Sequence, residues 1–296
     1  MKEIINQIFV SELNKKVDTI SEISGLGLVN KVFDVICENK NYIVRINPDR
    51  NKEFEFWKEK WCMEKASSLD IPSPEVISVG VIHDLPFMIM NKIKGSNGSL
   101  CSLGDKLSIW RRLGEYASKF HDVKRIDELK ISTDEFHPNW KGKLEYNIAQ
   151  LNKYDSLLQK EVFKKDEHKL CRALLDELKE RDFSTGLIHA DLSPRNVIVY
   201  DETVVLLDWG SSKIDVTPHA EIGIVQTNNN LNSEEFEAFL NGYGMSNSDC
   251  LKIENEINLI NLLNSLDLYR WAEGSDFQEI DKYARKLRVA FEKISN

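Results

Sequence analysis

The chain reads as an α+β fold in two parts, a small N-terminal lobe built on an antiparallel sheet and a larger, mainly helical C-terminal lobe. Three observations along its 296 residues predict this. Between about 17 and 93, short apolar runs rich in Val, Ile and Phe alternate with polar turns around a single stretch of helical periodicity. Beyond residue 100 the apolar spacing is helical almost throughout. One interruption, residues 186 to 211, sets two short strands into the helical half.

The first strands fall within 17 to 46. Gly25 and Gly27 mark a turn, and the apolar runs Val32 to Cys37 and Tyr42 to Ile46 flank a polar turn, Glu38-Asn39-Lys40-Asn41, which makes the pair a β-hairpin. Lys52 to Leu69 carries Phe56, Trp57, Lys60, Trp61 and Met63 at helical spacing and ends before Pro72 and Pro74. Two further runs, Glu75 to Ile82 and Phe87 to Ile93, are separated by His83-Asp84-Leu85-Pro86 and complete a sheet of about five strands. Gly95-Ser96-Asn97-Gly98-Ser99 has the composition of a linker, so the lobes are expected to span 1–94 and 95–296. Helices are expected near 105–121, 140–153, 158–181, 233–241, 250–271 and 276–294. The strands Val197 to Tyr200 and Val204 to Leu207 flank the turn Asp201-Glu202.

Composition excludes several classes. With 42% hydrophobic and 29% charged residues the chain has the make-up of an ordinary globular protein. A net charge of −9 argues against a nucleic-acid partner. From Asp215 onward fourteen Asp and Glu stand against seven Lys and Arg, so −7 of that charge lies in the last quarter. It forms either an acidic wall for a cationic substrate or the solvated faces of helices. The five cysteines are scattered without a C-x-x-C, which indicates neither a disulfide framework nor a zinc site. Met1 to Lys16 mixes charges into short apolar groups, and no apolar run approaches about 18 residues. A cytoplasmic protein without a membrane partner, monomeric or weakly dimeric, is expected.

The densest signal lies at His189-Ala190-Asp191-Leu192-Ser193-Pro194-Arg195-Asn196, followed by strand, turn, strand and then Asp208-Trp209-Gly210. The pattern is H-x-D-x-x-x-x-N with a D-x-G beginning twelve residues after the Asn. Here the chain resembles the aminoglycoside phosphotransferase and choline kinase family, over about residues 20 to 272 in order. The resemblance implies a protein-kinase-like bilobal fold, an N-terminal nucleotide-binding lobe and a C-terminal catalytic and substrate-binding lobe. It also implies transfer of the γ-phosphate of ATP or GTP to a hydroxyl, with magnesium as cofactor. Phosphoryl transfer proceeds through a loose transition state, so catalysis is mostly positioning and neutralisation of phosphate charge. Asp191 is expected to hold the acceptor hydroxyl and take its proton. Asn196 and Asp208 offer the hard oxygen ligands that magnesium prefers, at one end of the intervening hairpin. His189 braces the loop, and Arg195 lies either beside the phosphates or on a solvated surface.

The N-terminal lobe continues the resemblance. Gly25 to Val32 matches the family's nucleotide-covering loop, with Gly25 and Gly27 letting backbone approach phosphate and Asn30 standing where a third glycine is commoner. Arg45 stands where the family's phosphate-binding Lys usually is and offers a planar, always charged fork. Glu59 is the expected partner of Arg45, with Glu55 and Glu64 as competitors. Met88 to Gly95 resembles the hinge. The Asn91 carbonyl and the Ile93 N–H are expected to meet the base edge, with Met90 lining its pocket. There is no V-A-I-K, H-R-D or A-P-E, and Trp209 replaces the Phe of D-F-G, which favours a small-molecule acceptor over a protein.

Three functions stay open at this point. An aminoglycoside-like, cationic acceptor would make the protein an antibiotic-resistance kinase, with Glu221, Glu234, Glu235, Asp267, Glu273 and Asp276 as candidate carboxylates and Trp271 or Tyr269 as a stacking surface. A metabolic kinase acting on choline, homoserine or a sugar would share every catalytic residue. A catalytically dead nucleotide-binding module would lack one of Asp191, Asn196 and Asp208, and all are present.

Overall fold

The structure is a computed structural model and describes residues 1–23, 30–124, 140–275 and 280–295. The first elements are α1 (Lys2–Leu13), β1 (Thr19–Ile23), β2 (Lys31–Cys37), β3 (Lys40–Ile46), α2 (Glu53–Ser68), β4 (Val76–Ile82), β5 (Leu85–Asn91), β6 (Ser96–Asn97) and α3 (Leu103–Phe120). They are followed by α4 (Trp140–Gln150), α5 (Ser156–Gln159), α6 (Lys165–Leu178), β7 (Thr185–Ile188), β8 (Val197–Tyr200), β9 (Thr203–Leu206) and β10 (Lys213–Val216). The last are α7 (His219–Asn228), α8 (Ser233–Tyr243), α9 (Asn247–Lys252), α10 (Glu254–Ser275) and α11 (Ile280–Ser295). No helix among the described residues is long and apolar enough to cross a membrane.

Contacts divide the chain into two compact units. One comprises the described residues of 1–112 and 191–212, the other those of 113–190 and 213–295. The first is built on a five-stranded antiparallel sheet in the order β1-β2-β3-β5-β4. Its two tight hairpins follow from local chemistry. Cys37 pairs with Lys40 and Ile82 with Leu85. This leaves Glu38-Asn39 and His83-Asp84 as two-residue turns with φ of 49° and 63°, and of 48° and 62°. Positive φ at both positions is the type I′ geometry whose twist matches that of the strands. Both turns, read from the sequence as four residues each, are therefore two. Phe33, Val35, Val44, Ile46, Phe87 and Ile89 form the core of this sheet with Ile5, Ile8 and Phe9 of α1. That helix was not foreseen, although Ile5, Ile8 and Phe9 have helical i, i+3, i+4 spacing.

The stretch read as a linker is anchored. Ser96 and Asn97 pair with Val199 and Ile198 of β8, forming a three-stranded sheet β6-β8-β9. Asn97 Nδ2 donates to the Arg195 carbonyl at 2.7 Å. Gly95 has φ +132°, and a Cβ there would strike the Val199 carbonyl oxygen, so glycine is required by the close approach to β8. The sheet-bearing unit thus takes in residues 95–112 and 191–212 besides 1–94.

Among its described residues the second unit pairs strands only in the antiparallel β7–β10 ribbon and is otherwise built of helices and their connections. Its core includes Leu144 and Ile148 of α4, Leu175 of α6, Leu262 and Leu266 of α10, and Leu287 and Phe291 of α11. The helix expected over 158–181 is divided. Asp155 caps α5, Glu161 sits at φ 56°, and α6 starts only after Lys164, whose N–H donates to Glu167 at 2.7 Å. The expected start of the last helix, including Asp276, lies outside the described residues, as does the glycine turn at Gly25 and Gly27.

Candidate active site

The D-x-x-x-x-N segment folds as a tight loop between β7 and β8. Ser193 caps a single 3-10 turn, Pro194–Asn196, with Pro supplying the fixed φ that its first residue needs. Asn196 is buried, and its Nδ2 donates to the Asp191 carboxylate and to the Asp191 carbonyl, both at 2.8 Å. That leaves Oδ1 as the acceptor end of the amide. The Asn196 carbonyl in turn accepts the Leu207 N–H at 2.9 Å. Since Val197 pairs with Leu206, the backbone ladder of β8 and β9 brings Asn196 and Asp208 to the same end of one hairpin.

Asp208 is exposed and left-handed, with φ 58° and ψ 63°, and its side chain makes no capping bond to the following turn, Trp209–Ser211. An exposed carboxylate and an amide oxygen carried on the same end of one hairpin are hard oxygen donors of the kind magnesium takes. Among the described residues no group of three or more His, Cys, Asp and Glu comes together as a metal site.

The opposite wall of this unit is the β3–α2 ion pair. Arg45 Nη1 donates to Glu59 Oε2 at 2.5 Å, with side-chain exposures of 15% and 2%. The Arg45 guanidinium also lies 5.4 Å from the centre of the Phe56 ring. Burial pushes its pKa down, but the Glu59 carboxylate more than offsets this and holds it above the usual value. The competing carboxylates are engaged elsewhere, Glu55 with Lys52 and Glu64 with Lys60. Gly210 links the two walls: a Cβ there would lie 3.4 Å from Glu59 Oε1 and 3.5 Å from Asp208 Oδ1. Lys58 Nζ donates to the Gly210 carbonyl at 2.5 Å, tying α2 to the D-x-G turn.

Arg195 lies directly on Asp191. Its Nη2 donates to both carboxylate oxygens, at 2.6 and 2.9 Å. Those hydrogen bonds hold the Arg195 pKa above its usual value, and Asp208 adds to the effect. In the hinge segment Met90 is buried on β5, paired with Ile43 and Val76. Asn91 ends the strand, its N–H donating to the Glu75 carbonyl at 3.0 Å, and Ile93 follows just beyond.

In the helical unit, the start of the same loop is held by one of the carboxylates offered above as candidates for a cationic acceptor. Glu221 on α7 is fully buried, and its two oxygens accept the His189 N–H at 2.7 Å and the Ala190 N–H at 3.1 Å. Ala190 stands at φ 62°, a conformation that needs such support. Glu221 therefore positions the loop and cannot line a substrate surface. Its sequence gave no sign of this, because the pairing spans 32 residues and α7 is buried too evenly to show a periodicity.

The other acceptor-site candidates have partners of their own. Glu235 belongs to the capping box of α8, accepting the Asn232 N–H at 3.1 Å. Asp267 accepts from Asn147 Nδ2 at 3.2 Å. Glu273 pairs with Lys160 and accepts from Ser156 Oγ, both at 2.7 Å. Tyr269 is fully buried in α10 and has no face to offer a sugar. Trp271 is 56% exposed and stands edge-on to Tyr283, with ring centres 6.0 Å apart.

The model of the phosphotransferase enzyme family (APH) matches residues 19–253. A Staphylococcus aureus protein described as an uncharacterized protein in the ileS 3' region is 26% identical over 117 residues, covering 40% of this chain and 81% of that protein. Among solved structures, the GDP complex of aminoglycoside 2'-phosphotransferase-IIIa superposes with a TM-score of 0.72 at 12% identity, covering 99% of both chains. ADP-bound aminoglycoside phosphotransferase APH(2'')-Ib gives 0.68 at 18% identity, again over 99% of both. At such identities the likeness speaks for the fold, which is kinase-like. By fold and by family match, the chain belongs to the phosphotransferase enzyme family.

Proposed function

We propose that the protein is a magnesium-dependent kinase that transfers the γ-phosphate of ATP or GTP to a hydroxyl of a small molecule. The observation that carries this reading is the convergence of Asp191, Asn196 and Asp208 on one hairpin end with the Arg45–Glu59 pair, through Gly210. Asn196 Oδ1 and the Asp208 carboxylate would hold magnesium, which when bound neutralises phosphate charge. Arg45, steadied by Glu59, presents its fork to the nucleotide phosphates. The Asn91 carbonyl and the Ile93 N–H meet the base edge, Met90 lines its pocket, and Gly25 and Gly27 let the covering loop approach the phosphates.

Asp191 orients the acceptor hydroxyl and takes its proton. As the acceptor oxygen bonds to the γ-phosphorus, the bond from that phosphorus to the β–γ bridging oxygen breaks, and the nucleoside diphosphate leaves with the electron pair. The products are a phosphate monoester and the diphosphate, and Asp191 returns its proton to solvent.

An aminoglycoside-like acceptor is the first reading, supported by the aminoglycoside phosphotransferases of similar fold. A metabolic acceptor such as choline, homoserine or a sugar is the second. It is favoured by the engagement of Glu221, Glu235, Asp267 and Glu273 with protein partners, which reduces the carboxylates left for a polycation. The test is nucleotide consumption with magnesium across aminoglycosides, other hydroxylated antibiotics, choline, homoserine and simple sugars. Turnover on one class names the acceptor. Failure to bind magnesium nucleotide at all would overturn the kinase reading, and binding without turnover on any hydroxyl compound would return the protein to a binding module.

A further inference from the structure

We propose that Arg195 is a phosphate-responsive latch on Asp191, moving from the carboxylate to the γ-phosphate when a nucleoside triphosphate binds, so that the base is released for the acceptor only when there is a phosphate to transfer. The proposal rests on the kinase reading above. Arg195 donates to both oxygens of Asp191, the atoms that must receive the acceptor hydroxyl. While that fork is closed, the acceptor competes with a cation for them. The guanidinium is not locked in, for its side chain is 59% exposed while that of Asp191 is 20% exposed. Nor is the carboxylate free to follow it, because Asn196 Nδ2 holds Asp191 Oδ2 and its backbone carbonyl, both at 2.8 Å.

The mobile partner is thus the arginine, and an exposed ion pair yields readily to a stronger anion. A terminal phosphate carries more charge than a carboxylate and suits the bidentate fork. Arg195 directly precedes Asn196, the other residue proposed to hold the magnesium nucleotide, and the Asp208 carboxylate adds to the pull on its guanidinium. A diphosphate lacks the group that would draw Arg195 away, so it leaves the latch closed after turnover.

Calorimetric titration of the full chain with magnesium and either the β,γ-imido analogue of ATP or ADP tests this without knowledge of the acceptor. In Asp191→Asn the arginine has lost its anionic anchor, so the triphosphate analogue is expected to bind about fivefold tighter, the span of a partly exposed ion pair. The ADP affinity should stay as in the wild type. In an Arg195→Ala background the same Asp191→Asn change should give no gain. Arg195→Gln serves as a second variant, and ADP binding reports that each variant is folded. A gain that persists without Arg195, or that is equal for ADP, would mean simple removal of a negative charge and would overturn the latch. A wild-type protein that binds neither nucleotide would instead sink the kinase reading on which the latch depends.

Discussion

Replacing Glu221 with Gln tests whether the buried carboxylate of α7 positions the catalytic loop. In the native protein its two oxygens accept two backbone N–H groups in a fully buried setting. The amide keeps one acceptor and turns an NH2 group toward the other N–H. One charge-assisted bond is lost, worth about 1.5–3 kcal/mol, and a buried donor is left facing a donor, so a total of roughly 2–4 kcal/mol is expected. For a chain of this size that lowers Tm by about 3–6 °C. Ala190, at φ 62°, loses its restraint next to Asp191. Because a displacement of about 1 Å at a reacting group can cost about 100-fold, kcat should fall by roughly 10- to 100-fold with the nucleotide KM little changed. Differential scanning calorimetry and steady-state kinetics on the acceptor identified by the panel would measure both. A Glu221→Gln protein with native Tm and native kcat would refute the positioning role. A loss of Tm with kcat intact would reduce Glu221 to a packing residue.

Asp191→Asn or Asp191→Ala should abolish turnover while retaining magnesium-nucleotide binding, since the lost interaction acts in the transition state; near-normal turnover would show that another group takes the proton. Glu59→Ala strands the buried Arg45 guanidinium, which is expected to destabilise the protein by about 3–5 kcal/mol and to weaken nucleotide binding about tenfold, read by thermal melting and titration. Unchanged melting would mean that Arg45 reaches water or a second anion. Asp215, buried against Lys213 at 2.8 Å and Lys143 at 3.6 Å, should impose an acid limb on stability. Burial raises its pKa, but the two lysines lower it by more, so the carboxyl is held well below the usual range. Its stabilisation is therefore complete above the ordinary value of about 3.9 and is lost as pH falls through the lower folded value. The stability gap between wild type and Asp215→Asn should be widest at neutral pH and narrow toward pH 3, and a gap independent of pH would contradict the ion pairing.

By itself the sequence determined whatever is encoded in neighbouring residues. The hairpins themselves, the strand runs that flank their turns and the D-x-x-x-x-N to D-x-G spacing all act over short stretches of chain, where connectivity alone brings Asn196 and Asp208 together. The sequence put Glu59 first as the partner of Arg45 but left Glu55 and Glu64 in competition; the tertiary structure removes them, because the way α2 packs against β3 decides which carboxylate Arg45 meets. It alone revealed Glu221 as the support of His189 and Ala190, a contact across 32 residues between a loop and a helix with no periodic signature. It also turned Ser96 and Asn97 from part of an apparent linker into a strand paired with β8. The physical reason is common to these cases. A local pattern reports the conformational preference of its own residues, whereas the partner of a buried charge or backbone N–H is set by which distant surface the core brings against it.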